Sequence, residues 1–446
     1  MSALACVLLE RGHPVSGSDL RGSRAVSALS ALGADIAIGH DRAHVDGANL
    51  VAVSTAVPAS NAERARALEL GIPVVCRAEL LAALMAESCA VLISGTHGKT
   101  TTTAMTTVAL QAAGFDPSFA IGGTLHDAGT SAHHGTGEVF VAEADESDRS
   151  FLSYTTNCAV ITNVELDHHD TYADEDEVGE AFAEFLERRV PGAPAIVGIE
   201  DPGVQALLAR EKLTPRPPIL GFGDHPDAEL RISRTDLGVH GSSFHLDARG
   251  EDLGRFTLSL PGRHNVLNAT AAVAVARWLG APLDDVREGL ATFHGTQRRF
   301  QRVGTVDGVT VVDDYAHHPT ELVATISAAR QTSPPGRIIA AFQPHRFSRT
   351  AALASQLGEA LTGADLVVVT DVYGAGEQAV PGVTGELVAD ASRRAGAETH
   401  VVGAAGDLAL FLAGMAREGD LILTLGAGDI TEVGPVLLRL LDGRGA

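Results

Sequence analysis

Positive charge is scarce in this chain. Its 33 Lys and Arg face 56 Asp and Glu, a formal net charge of −23 at pH 7. Nucleic-acid binding draws on a basic face that neutralises phosphates, so this balance argues against that class of partner. Aromatic residues make up only 4% of the chain, whereas glycine reaches 48 residues. That suits an α/β protein with many strand–helix turns, not a disordered one. Cysteine is sparse. Cys6, Cys76, Cys89 and Cys158 lie far apart with no CxxC pair, which argues against a disulfide framework or a zinc site. Contexts such as VVCRA and NCAVI predict buried, reduced thiols of a cytoplasmic protein. No apolar run approaches the roughly 20 residues that a membrane helix needs. The opening MSALACVLLERGHP has no basic segment ahead of its apolar stretch, and Glu10 and Arg11 follow directly, so it does not read as a signal peptide.

At about 100–200 residues per domain, a chain of 446 residues makes two to four domains. Three blocks are visible, with bounds 1–86, 87–295 and 296–446. The first alternates helical patches with the short β-rich runs HPVSGSD, ADIAIG, NLVAVST and IPVVC, as a small parallel α/β unit does. The second opens on the strand AVLISG, a glycine loop and a helix to Gly114, followed by the strands VFVAEAD and AVITNVELD. Its segment from Ala228 to Leu260 alternates polar and apolar residues, predicting antiparallel strands added to a parallel core; a helix from Asn268 to Leu279 follows. The third carries the strands VTVVDD, RIIAAFQ, ADLVVVTDV, THVVG and DLILTLG with helices between them, a doubly wound pattern. Polar clusters follow the strands directly, where ligands bind in open α/β sheets.

The run ISGTHGKTTTT, from Ile93 to Thr103, joins a strand to a helix through a glycine loop. Backbone N–H groups and the helix N-terminus can surround phosphate oxygens, with Lys99 on the terminal phosphates and the Thr100 hydroxyl on Mg²⁺. The loop residues are Gly95, Thr96, His97, Gly98, Lys99, Thr100 and Thr101. The spacing departs from the general G-x-x-x-x-G-K-[ST] pattern, because only two residues separate Gly95 from Gly98.

Two acidic clusters end strands of the same block. AEADESD could place a carboxylate for a metal opposite the phosphate loop, and ELDHHDTY offers more carboxylates with His168 and His169. Mg²⁺ prefers oxygen ligands, and a solvated acidic loop is the equal alternative on spacing alone. The pairs His133-His134, His168-His169 and His317-His318 do not suggest zinc, since adjacent residues on a strand point to opposite faces. SAHHGTG, with His133 and His134, reads as a surface loop.

Taken in order, GTHGKTTT, AEADESD with SFL, TNVELDHHDTY, PGRHNVLNA, RRFQ, DDYAHHPTE, FQPHRFSRT, DVYGAGE and LGAGD resemble the UDP-N-acetylmuramate–L-alanine ligases of the Mur ligase family, over the whole chain. The resemblance implies three domains: an incomplete Rossmann-like first domain for the UDP-sugar, a central phosphate-loop ATPase-type domain, and a Rossmann-like third domain for the amino acid. It implies ATP and Mg²⁺ as cofactors and an acyl-phosphate route from UDP-N-acetylmuramate and L-alanine. Carried over residue by residue, Lys99 neutralises phosphate, Thr100 binds one Mg²⁺, Glu143 and His168 hold the other, and His264, Asn265 and Asn268 lie at the adenine side. Arg299 reaches the γ-phosphate and Asp314 the ribose. Tyr315, His317, Arg346 and Arg349 match the alanine site, with His345 beside Arg346; for Arg349 a surface salt bridge or a strand-end cap is the equal alternative. Asp19, Ser54 and Thr55 fall on the UDP-sugar side.

Many sister ligases carry a carbamylated lysine after the DH motif; here AFAEFLE has none, which agrees with the alanine ligases. The ligase that attaches recycled tripeptide to UDP-N-acetylmuramate is the nearest alternative, but it generally differs where FQPHRFSRT stands. A nucleotide-binding protein without ligase activity is another, against which the complete third-block motifs count. Family members open with a strand and a GIGGxG-type loop ahead of the Met-Ser at which this sequence starts. The resemblance therefore implies a first domain short of about 15–20 residues, with weakened folding or UDP-sugar binding.

Overall fold

The run CAVLIS has no polar face to offer water. In the computed structural model of the protein it is the strand Cys89–Ser94, buried from Ala90 onward. Its parallel neighbours are Cys158–Ile161 on one side and Val139–Glu143 on the other. Ala195–Gly198 and Ile219–Gly223 extend the sheet beyond the first, both parallel. Beyond the second come Ser118–Ala120, parallel, and the two-residue strand Ala132–His133, antiparallel. The phosphate loop and the acidic cluster after Val139–Glu143 therefore leave the sheet from adjacent strands at the same end.

The structure describes residues 1–126, 128–210, 218–238, 240–332 and 336–443. They fall into two units, the first made of Met1–Glu165, Glu175–Glu229 and Ala271–Gly289, the second of Leu166–Asp174, Leu230–Thr270 and Leu290–Ala446. Besides the sheet above, the first unit holds two separate parallel pairs, Ser16–Asp19 with Asp35–Ile38 and Val51–Val53 with Val74–Cys76. The helix Ser2–Glu10 buries Leu4 and Val7. His133 is not in a surface loop but in an edge strand, and His134, half-buried, follows it directly. His133 pairs with Phe119 across the sheet edge, and Ser118 Oγ lies 3.1 Å from His134 Nδ1. Edge pairing satisfies the backbone that a loop would leave to water. Only Cys158 of the four free cysteines is buried; the others are half-buried.

In the second unit the alternating segment forms the antiparallel meander Leu230–Gly238, Gly241–Ala248 and Glu251–Leu258. A six-stranded sheet follows in the order Gln301–Val306, Val309–Asp314, Leu421–Leu425, Ile338–Phe342, Leu366–Thr370, Thr399–Val402; only the first pair is antiparallel. Successive side chains point to opposite faces, and both faces are apolar. Ile338, Ala340 and Phe342 pack with Leu322, Leu357 and Val388 of the helices Pro319–Thr332, Phe347–Ala360 and Gly385–Arg394. Ile339 and Ala341 pack on the other side with Leu408 and Leu437 of Ala405–Met415 and Val433–Asp442. Helices on both faces make this sheet doubly wound. Phe342 is fully buried, and truncating such a side chain costs about 3–5 kcal/mol. Gln301–Val306 escaped the sequence reading because it is a half-exposed edge strand with no apolar run. The helix Arg263–Trp278 also starts earlier than Asn268, taking part of PGRHN into its first turn. No helix among the described residues is long and apolar enough to cross a membrane.

Candidate active site

In the first unit the strand Cys89–Ser94 ends at Gly95, whose φ of +126° excludes ordinary side chains; a Cβ there would lie 2.1 Å from Thr162 Oγ1. Gly98, at φ +83°, turns the chain into the helix Lys99–Ala112. Two residues after the strand Cys158–Ile161 brace the loop from beneath. Thr162 Oγ1 donates to the His97 carbonyl at 2.6 Å, and Asn163 Oδ1 accepts from His97 N at 2.8 Å. His97 Nε2 lies 3.0 Å from Glu165 Oε2, and the Thr96 hydroxyl donates to the Glu165 carbonyl. Thr101 is buried in the first helical turn. No role falls to Thr162 and Asn163 from the sequence; their place directly after a buried strand is the one local signal for them.

Lys99 Nζ donates to the carbonyls of Gly95 and Thr96 at 2.7 and 3.1 Å and to Glu146 Oε1 at 2.8 Å. Burial alone would discharge the ammonium, but Glu146, Asp145 and Glu143 together raise its pKa. Burial pushes the Glu146 carboxyl up to about 7 against the pull of Lys99. Thr100 Oγ1 donates to Glu143 Oε2 at 3.2 Å, and Glu143 Oε1 accepts from Gly122 N. A Cβ at Gly122 would lie 2.6 Å from that carboxylate. A hydroxyl and a carboxylate side by side at a phosphate loop are hard oxygen donors, and they fit Mg²⁺. Asp19 ends the strand Ser16–Asp19 and accepts from Arg21 N, while Ser54, next to Thr55, accepts from Ala56 N. Nearby, Glu63 joins Ser18, His40 and His44, a network the sequence did not reveal.

The second unit gathers most of the other expected residues. Arg299 lies 5.1 Å over the Tyr315 ring and 3.8 Å from Glu321. Asp314 accepts from Phe300 N and Ala316 N, and burial pushes its carboxyl up to about 6 against Arg299. Burial, then Arg299, depress His264 to about 4. Asn265 donates to the Pro261 carbonyl at 2.7 Å, and Asn268 reaches Asn265 Oδ1 at 3.5 Å. Tyr315, His317, His345 and Tyr373 form a column of rings with centroids 5.4, 5.7 and 5.8 Å apart. His317 Nδ1 lies 2.9 Å from the Tyr315 carbonyl, which can only accept; the proton therefore sits on Nδ1. Burial depresses His317 to about 4 and His345 to about 3, so both rings are neutral near pH 7.

His168 belongs to the segment Leu166–Asp174 and sits at φ +54°. Its neighbour Asp167 is buried and takes a three-bond fork from Arg349. Arg349 is thus not in a surface salt bridge: it is 5% exposed, because the segment covers it. Arg346, at φ +67° at the head of the helix Phe347–Ala360, pairs with Asp170 at 2.9 Å and is more exposed.

A glycine loop with a lysine at the first helical position, on the central strand of a parallel sheet, defines an α/β protein of the phosphate-loop class. Comparison with known proteins carries the assignment further. Models of the "Mur ligase family, catalytic domain", the "Mur ligase middle domain" and the "Mur ligase, glutamate ligase domain" match residues 1–88, 93–276 and 298–428. The chain is similar to the UDP-N-acetylmuramate–L-alanine ligase of Mycolicibacterium smegmatis, with 49% identity over 100% of this chain and 94% of that one. With the ligase of the same name from Streptomyces griseus it shares 45% identity, over 100% and 96% of the two chains. Among solved structures, the UDP-N-acetylmuramate–alanine ligase of Thermotoga maritima aligns with a TM-score of 0.83 and 27% identity, covering 100% of this chain and 97% of that one. A murein peptide ligase of Psychrobacter arcticus aligns with a TM-score of 0.73 at 24% identity, over 99% and 96%, a likeness of fold. The chain belongs to the Mur ligase family, a family of ATP-dependent ligases, and has its three-domain α/β architecture.

Proposed function

We propose that this protein joins L-alanine to the lactyl carboxylate of UDP-N-acetylmuramate, with conversion of ATP to ADP and phosphate, in the cytoplasmic synthesis of peptidoglycan precursors. The observation that carries this reading is full-length identity of 45–49% to relatives of that name. The geometry agrees with it. A carboxylate oxygen of the sugar attacks the γ-phosphorus and ADP leaves. The alanine amine then attacks the acyl carbon, the tetrahedral intermediate expels phosphate, and the amine proton is lost as the amide forms. Little covalent help from the protein is needed; the demand is for positive charge around the migrating group.

Lys99 and Arg299 supply that charge in the reading proposed here, with His264, Asn265, Asn268 and Asp314 on the nucleoside. One Mg²⁺ held by Thr100 and a second held by Glu143 and His168 would offset phosphate charge when bound. Neutral His317 and His345 flank the amino-acid site without repelling an ammonium, and Arg346 offers a fork for the alanine carboxylate. Asp19, Ser54 and Thr55 lie toward the UDP-sugar. Residues 1–86, 87–295 and 296–446 are the corresponding UDP-sugar, ATP and amino-acid segments. The test is phosphate release with each substrate omitted in turn. Release that proceeds without alanine, or only when tripeptide replaces it, would overturn the reading.

A further inference from the structure

Arg346 and Arg349 stand one turn apart at the head of the helix Phe347–Ala360, yet their surroundings differ. Arg349 donates through Nε to Asp167 Oδ1 at 3.0 Å, and through Nη2 to Oδ1 at 2.9 Å and Oδ2 at 3.0 Å. Its Nη1 lies 3.3 Å from His345 Nδ1. Arg349 and Asp167 are each 5% exposed. Asp167 Oδ1 also accepts from the backbone N of His168 at 2.7 Å. That bond lies beside a left-handed turn at His168, whose carbonyl accepts from Thr171 N and Tyr172 N. The Arg346 guanidinium, in contrast, donates one hydrogen bond, to the exposed Asp170, with Glu377 Oε1 3.9 Å away.

These differences decide what each guanidinium can do. Pulling Arg349 from Asp167 would strand a buried carboxylate, which a small substrate's own carboxylate cannot offset. The Arg346–Asp170 pair faces water and exchanges readily. We infer that Arg349 is a positioning residue which, through Asp167, fixes the backbone turn and ring direction of His168, and that Arg346 takes the amino-acid carboxylate without it. The inference rests on the proposed reading of His168 as a metal ligand and alanine as substrate.

The experiment uses the full chain with Arg349→Lys, Asp167→Asn and, as a contrast, Arg346→Lys. Mn²⁺ binding is read by electron paramagnetic resonance with a non-hydrolysable ATP analogue and UDP-N-acetylmuramate present. The KM for alanine is read separately from phosphate release. Loss of such a supporting partner weakens metal affinity about tenfold or more. Arg349→Lys and Asp167→Asn are therefore expected to show that loss while the alanine KM stays within about twofold; Arg346→Lys is expected to do the reverse. Unchanged Mn²⁺ affinity in Arg349→Lys, or an alanine KM that rises more than the metal affinity falls, overturns the inference. Should Asp167→Asn fail to fold, Arg349→Lys decides alone, since it keeps the charge and loses only the fork. Wild-type phosphate release that ignores alanine would instead sink the underlying reading.

Discussion

Lys99 and Glu146 form an ion pair at the phosphate loop, Nζ to Oε1 at 2.8 Å, with Glu146 only 2% exposed. The ammonium proposed here for phosphate is thus held by a carboxylate three residues beyond Glu143. Because burial brings Glu146 up to about 7, it can shed its charge when the ammonium turns to another anion.

Lys99→Ala should reduce ligation at least 1000-fold, on the order of 4 kcal/mol or more of transition-state stabilisation. Glu146→Gln, which keeps the shape and drops the charge, should keep activity within about tenfold of wild type. Turnover measured at saturating substrates checks both. A Lys99→Ala protein retaining a tenth of wild-type turnover would remove Lys99 from the phosphate site.

Arg346→Ala should raise the KM for alanine by roughly 10- to 100-fold, the loss of a charge-assisted pair worth about 1.5–3 kcal/mol. Its melting temperature should stay near wild type, since the pair with Asp170 is exposed and worth little. If the KM for ATP rises in place of that for alanine, Arg346 serves the nucleotide.

Gly95→Ala should damage both stability and nucleotide binding. The new Cβ would sit in left-handed backbone and 2.1 Å from Thr162 Oγ1, displacing the hydroxyl that braces the loop. Strain of about 1–3 kcal/mol is expected. Thermal melting together with calorimetric titration of an ATP analogue reads the two effects, and a variant that melts and binds like wild type would contradict this account.

Acid should destabilise the protein between about pH 6.5 and about pH 4. His264, His317 and His345 are depressed to about 4, about 4 and about 3 in the folded state, while unfolded histidine titrates near 6.5. Within that window the unfolded chain binds more protons, so stability rises with pH through it and is lost as pH falls. Asp314 and Glu146, pushed up to about 6 and about 7, act in the opposite sense and reduce the slope. Urea midpoints at several pH values test the sign, and His345→Gln should flatten the curve. A midpoint that falls as pH rises through this range would show that the carboxyl groups dominate.

Local chemistry made much of this protein legible in its sequence. The buried strands are unbroken apolar runs. The phosphate loop is a contiguous stretch, so Gly95, Gly98, Lys99 and Thr100 could be placed on a strand–turn–helix without knowing what surrounds them. Alternation exposed the antiparallel meander, and the motifs in order pointed to the family. Weak periodicity hid the edge strand Gln301–Val306, and a missing cap signal hid the true start of the helix Arg263–Trp278. What only the tertiary structure decided is who partners whom. Lys99 meets Glu146 across 47 residues because Cys89–Ser94 and Val139–Glu143 are adjacent strands. Arg349 meets Asp167 across 182 residues because Leu166–Asp174 packs with the helix Phe347–Ala360. Periodicity and turn chemistry act over a few residues, whereas such pairs are set by strand order and burial. The sequence could therefore name Arg349 as a cation near the site, but only packing shows that its fork is already filled.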